Sequence, residues 1–275
     1  MNIAIVGLGL IGGSLAKAVK QFTSHLVIGM DIDPQVLAGA LAAGAIDLVG
    51  SPDDLRHADL VLMALYPALS IDFIRQNADF FKPGALVVDC GGVKRQICAE
   101  IPPLAAVKGF TFAGGHPMAG REQGGFAHAD PLLFQGASFI IVPCSAPADK
   151  LNAFTELILS LGFERTVFTT PEEHDDIIAY TSQLPHVLSV AYMFSPSCRA
   201  HRGFSAGSFK DVSRVALINE RLWSELFIAN HDPLIREIDI LIDNLSQIKA
   251  SIAAGNAGQL STLLAQGRQI KQEVD

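Results

Sequence analysis

The stretch "NIAIVGLGLIGGS" at residues 2–14 constrains the fold more than any other part of the chain. A short apolar run meets Gly7-x-Gly9-x-x-Gly12 and then a segment with helical character. Gly7 permits a tight turn, Gly9 leaves backbone uncovered, and Gly12 lets helix and strand pack closely. The next apolar run, "HLVIGMD", ends in Asp31, 19 positions after Gly12. Strand, glycine turn, helix and a second strand ending in an acid form the dinucleotide fingerprint in its required context.

Further short apolar runs lie at 58–65, 85–90, 110–115 and 137–143. They are apolar nearly throughout, as strands covered on both faces must be. Helix-length segments at 11–22, 34–44 and 70–79 separate the early ones. Such alternation predicts βαβ units and a parallel sheet with helices on both faces.

The pattern changes after about residue 165. "TTPEEHDDIIAYTSQLPHVLSVAYMF" (169–194) opens with a Thr cap, a proline and acids, a helix start. Asp232 and Pro233 read as N-cap and N1 of another helix. Behind them Ile235, Ile238, Leu241, Ile242, Leu245, Ile248 and Ile252 form one apolar face. A further helical stretch, 256–272, carries Leu260, Leu263 and Leu264. The predicted fold class is α/β, with an N-terminal Rossmann domain (1–168) and an all-α C-terminal domain (169–275). The apolar stripes serve an internal core or a homodimer interface.

With 49% hydrophobic and 17% charged residues in 275, the chain can bury a sizeable core. The apolar start lacks a basic region and is broken by four glycines, so we expect it not to act as a signal peptide. Cys90, Cys98, Cys144 and Cys198 stand 8, 46 and 54 positions apart, which fits no metal spacing. We expect reduced thiols, a cytoplasmic protein and no metal. The net charge of −8 argues against nucleic acid or an anionic membrane as partner.

Helix α-amides behind the glycine turn suit a pyrophosphate. Asp31 suits ribose hydroxyls and would repel a 2′-phosphate, so NAD is expected over NADP. Gly7, Gly9, Leu10, Ile11 and Gly12 form the turn, and Gly91 joins them from a later strand end. Leu65, Tyr66 and Pro67, just past the run at 58–65, are expected to line the adenosine side.

A nicotinamide site that oxidises an alcohol needs a base. His116, in "AGGHPMAGREQGG" (113–125), follows the predicted strand "FTFAGG" and so falls at a strand's carboxyl end. His25 and His57 precede strands, at the wrong edge, and His231 sits beside a helix cap. His186, in "TSQLPHVLS", lies on a helix able to face the cleft. Residues 199–214 hold Arg199, Arg202, Lys210 and Arg214 against one acid, Asp211. Such an island suits an anionic substrate, though an ordinary solvated loop carries similar charges.

Together "VGLGLIGGS", "VIGMDIDPQVLAGALAAGAID", "DCGGVK", "GGHPMAGREQGG", "TSQLPHVLS" and "KDVSRVA", followed by Trp223 and Asn230, resemble the prephenate/arogenate dehydrogenases of tyrosine biosynthesis. The resemblance implies NAD-dependent oxidative decarboxylation of prephenate or arogenate. It implies His116 as the catalytic histidine, Arg214 on a substrate carboxylate and His186 positioning the substrate. Glu122 and Trp223 would sit near the cleft mouth, and Lys210 with Asp175 would form a supporting ion pair.

Two positions depart from the family pattern. Gly92 stands where many members have a serine whose hydroxyl can hydrogen-bond the catalytic histidine, and Gln183 stands where many have histidine. The length suggests neither an appended regulatory domain nor a preceding mutase domain. The competing readings are a 3-hydroxyisobutyrate-type dehydrogenase, which would need a catalytic lysine, and a non-catalytic NAD-binding protein.

Overall fold

A computed structural model describes residues 1–274. Eight strands form one sheet in the order β3-β2-β1-β4-β5-β6-β7-β8. They are β1 (Asn2–Val6), β2 (Leu26–Met30), β3 (Leu48–Val49), β4 (Leu60–Met63), β5 (Leu86–Asp89), β6 (Thr111–Pro117), β7 (Ser138–Val142) and β8 (Arg165–Phe168). Helices α1 (Leu10–Phe22), α2 (Pro34–Ala42), α3 (Pro67–Gln76), α4 (Arg95–Lys108) and α5 (Ala148–Ser160) connect them.

The central strands are buried on both faces because their alternating side chains feed two cores. Ile3, Ile5, Leu62 and Val88 pack with Leu15 and Val19 of α1 and Phe154 and Ile158 of α5. Ala4, Val6, Met63 and Val87 pack with Ile71 and Ile74 of α3 and Ile97 and Ile101 of α4. That double cover explains why these runs read as unbroken apolar sequence.

The sheet is not parallel throughout. β7 runs antiparallel to β6, with Gly114 opposite Val142 and Pro117 opposite Phe139. A parallel return needs a crossover of a dozen or more residues, usually helical. Residues 118–137 contain Gly120, Gly124, Gly125, Pro131 and Gly136, so they form a loop instead. That loop folds along α1: Ser14 accepts from Asp130 N at 2.9 Å, and Lys17 donates to the Ala129 carbonyl at 2.6 Å. Two strands also escaped the sequence reading. β3 has only two residues, and β8 is half-exposed, so neither leaves a long apolar run.

After β8 the chain is helical. α6 (Pro171–Ile178) continues through a π turn (Ala179–Gln183) into α7 (Leu184–Met193). In that turn the Leu184 amide donates to the Ala179 carbonyl, five residues back. α8 (Gly207–Ser213), α9 (Glu220–Ala229), α10 (His231–Ala253) and α11 (Ala257–Val274) complete the chain. Ile235, Ile242, Leu245 and Ile252 are exposed in the single chain, so most of the predicted stripe is not internal core. Among the described residues no helix is long and apolar enough to cross a membrane.

Candidate active site

β1, β2, β4, β5 and β6 are parallel, so their carboxyl ends share one edge. Strand order reverses between β1 and β4, the switch point where such sheets bind ligands. Gly7 there has φ +88°, and a Cβ on it would lie 2.6 Å from the Ala64 carbonyl oxygen. A Cβ on Gly12 would stand 1.9 Å from the Gly7 oxygen, so only glycine lets α1 start this close to β1. Gly9 is the N-cap of α1 without a side-chain cap, and open space surrounds its Cα. Leu10 and Ile11 follow as the first helical residues. Asp31, just beyond β2, accepts from Leu8 N at 2.7 Å and from Asp33 N at 2.9 Å. An uncovered helix start and an anchored acid one strand away fit a dinucleotide. Leu65 packs over Gly7, and Pro67 is buried as the first residue of α3. The Tyr66 hydroxyl accepts from Asn219 Nδ2 at 3.0 Å, and Arg221 lies over its ring. The N-cap of α9 therefore holds Tyr66.

His116 lies on β6 near its carboxyl end, within the strand rather than after it. Its Nδ1 meets His174 Nε2 at 2.9 Å. His174 Nδ1 in turn meets Asp175 Oδ1 at 2.7 Å. Asp175 also accepts from Lys94 N at 2.7 Å and Arg95 N at 2.9 Å. A carboxylate at the first amides of α4 is stabilised by the helix dipole. Thus α6 caps a helix of the first half while presenting His174 to His116. Burial above all, then His174 and Lys94, hold the His116 pKa well below the ordinary histidine value. Burial also lowers that of His174.

Beneath this row lies a buried ion pair, Lys94 with Asp89. Gly91 N at 3.0 Å and Gly115 N at 3.3 Å also donate to Asp89. Gly91 is thus part of the turn that holds Asp89. At Gly92 a Cβ would lie 3.2 Å from Leu226 Cδ2 and 4.0 Å from His116 Cε1. Leu226 of α9 fills the space a side chain at 92 would need.

The mouth is built by the 118–137 loop and the helical half. Arg121, Glu122, Lys210 and Arg214 line an open cleft there. Arg214 Nη1 donates to Glu122 Oε1 at 2.7 Å. His186 stacks on Trp223 with ring centroids 3.7 Å apart, and its Nδ1 bonds the Ser182 carbonyl at 2.8 Å. Burial first, and then nearby Arg214, lower the His186 pKa.

One expectation gives way. Lys210 and Asp175 form no ion pair: Asp175 is buried among α4 amides and His174, whereas Lys210 is exposed at the mouth. Gln183, one of the two departures from the family pattern, lies inside the fold. It is buried, donating to the Leu226 carbonyl at 3.3 Å and accepting from Asn230 Nδ2 at 2.8 Å. Asn230 also donates to the Asp175 carbonyl at 2.8 Å. His174 and Lys94 carried no assignment from sequence, although both sit in quoted motifs. Lys94 follows the apolar strand at 85–90 closely enough to suggest burial, whereas His174, set among the acids of "PEEHDD", leaves no such signal.

A dinucleotide turn, a histidine at the same sheet edge and a basic cleft mouth define a nicotinamide-dependent dehydrogenase. The family model for "Prephenate dehydrogenase, nucleotide-binding domain" matches residues 15–166, and that for "Prephenate dehydrogenase, dimerization domain" matches 170–266. The chain belongs to the prephenate dehydrogenase family, and NAD is its cofactor. It is 26% identical to the prephenate dehydrogenase of Lactococcus lactis over 100% of this chain and 77% of that one. Its structure resembles Synechocystis arogenate dehydrogenase with TM-score 0.84 at 25% identity, covering 100% of both chains. It resembles prephenate dehydrogenase from A. aeolicus, solved with hydroxyphenyl propionate and NAD+, with TM-score 0.84 at 26% identity. That match covers 100% of this chain and 98% of the other.

Proposed function

We propose that the enzyme oxidises prephenate, or its amino counterpart arogenate, with loss of the ring carboxylate as carbon dioxide, and that His116 accepts the hydroxyl proton. The observation that carries this reading is His116 itself: neutral, half-buried and placed on the ligand edge of the sheet. Its Nδ1 is engaged by His174, so Nε2 is the atom left to take a proton. When bound, NAD accepts the hydride that leaves C4 of the substrate ring. Gly7, Gly9, Leu10, Ile11 and Gly12 receive the pyrophosphate, Asp31 the ribose, and Leu65 and Gly91 flank them. Arg214 binds a substrate carboxylate, with Lys210 adding positive charge and His186 and Trp223 forming a stacked wall.

A 3-hydroxyisobutyrate-type reaction would need a catalytic lysine on a helix of the second domain, and Lys210, the one near the basic island, is solvent-exposed instead. The exposed apolar face of α10, in the segment matched by a dimerization-domain model, supports a homodimer. We place the enzyme in the cytoplasm, which supplies its cofactor. NADH formation with prephenate, arogenate and 3-hydroxyisobutyrate, compared side by side, tests the reading. We expect turnover on one or both of the first two. Turnover on the third alone would overturn it.

A further inference from the structure

We infer that His174 is a positioning residue that fixes the tautomer of His116. The backbone amides of Lys94 and Arg95 can only donate, so both Asp175 oxygens must accept. His174 Nδ1, facing Asp175 Oδ1, therefore carries hydrogen. A neutral His174 then has an unprotonated Nε2, which can only accept. His116 Nδ1, facing it at 2.9 Å, must be the donor. The result is one permitted arrangement, Asp175 to His174 to His116, that leaves His116 Nε2 bare.

The groups around the row act in the same direction. Lys94, buried beside Asp89, disfavours a second proton on either ring. Asp175 cannot swing away, because the start of α4 and the Asn230 bond to its own carbonyl hold it. At Gly92, Leu226 occupies the position from which a side chain could compete for His116. A catalytic histidine whose second nitrogen is oriented by a fixed partner is the usual device for keeping one tautomer.

This inference deepens the proposed role of His116, and its kinetic arm rests on that role. The direct test does not: histidine side-chain tautomers are read by two-bond 1H–15N NMR on the 15N-labelled full chain without substrate. We expect both His116 and His174 as Nδ1–H forms at neutral pH, assigned with His116→Asn and His174→Gln. A His116 ring protonated at Nε2 would overturn the inference, whatever substrate the enzyme uses. In the kinetic arm, His174→Phe removes the acceptor and should lower kcat about 10- to 100-fold with both KM values kept, the range for losing a partner that orients a working imidazole. His174→Gln keeps an acceptor oxygen and should recover much of that loss. Wild-type kcat in the Phe variant, or equal loss in both variants, would overturn the role.

Discussion

Glu122 and Arg214, 92 positions apart in the chain, are joined across the cleft mouth by a 2.7 Å bond between Oε1 and Nη1. Both side chains are solvent-exposed, so the bond is weak and easily exchanged. An incoming substrate carboxylate can take the guanidinium from Glu122 at little cost.

The guanidinium should matter more than its resting partner. Charge-assisted hydrogen bonds contribute about 1.5–3 kcal/mol. Arg214→Ala should therefore raise substrate KM about 10- to 100-fold, while Glu122→Gln leaves KM unchanged or lowers it. Steady-state kinetics decides, and a larger KM increase in the Glu122 variant would contradict the assignment.

Removing the base should strike turnover and spare the cofactor. His116→Asn should lower kcat about 10²- to 10⁴-fold, the usual worth of general-base catalysis. NAD binding, followed by quenching of the single Trp223, should persist. A variant with native turnover would exclude His116 as the base.

The lowered pKa of His116 sets the pH response. The free base is the working form, so activity is present above that pKa and lost as pH falls through it. The acid limb of kcat/KM should fall below the ordinary histidine range near 6.5. Stability should respond sooner. As pH drops through about 6.5 the unfolded chain takes up protons that folded His116 and His174 refuse, so Tm declines. An acid limb centred on the ordinary value would show that burial does not control this group.

The buried pair below the site gives a stability test. Lys94→Met would leave the Asp89 carboxylate buried without its cation. Breaking such a pair costs about 3–5 kcal/mol. Urea unfolding should show a loss of that size. A change under about 1 kcal/mol would mean that the Gly91 and Gly115 amides satisfy Asp89 alone.

Asp31 should govern cofactor choice. Its carboxylate would repel a 2′-phosphate, so Asp31→Asn should narrow the preference for NAD over NADP. The ratio of kcat/KM values measures this, and an unchanged ratio would move discrimination elsewhere.

The sequence showed local features well and distant pairings poorly. The Gly7–Gly12 turn and Asp31 are legible because backbone geometry demands glycine and the spacing is short. His116 is legible because its strand is. The direction of β7 is not, since an apolar run looks the same from either end. His174 is harder still: it acts through a partner 58 positions away, and nothing within "PEEHDD" says which way the imidazole turns. The place of Gln183 is hidden for the same reason, as its buried partners Leu226 and Asn230 lie more than 40 positions downstream.

The π turn at Ala179–Gln183 gives the long helix one surplus residue between His174 and His186. Each residue advances an α-helix by about 100°. The extra one therefore works as a phase shifter, setting the azimuth of His186, the stacking partner of Trp223, independently of the row at His116. Deleting Thr181 would let the helix re-form as regular α. The upstream imidazoles would keep their bearings, while the LPH segment rotated out of aim.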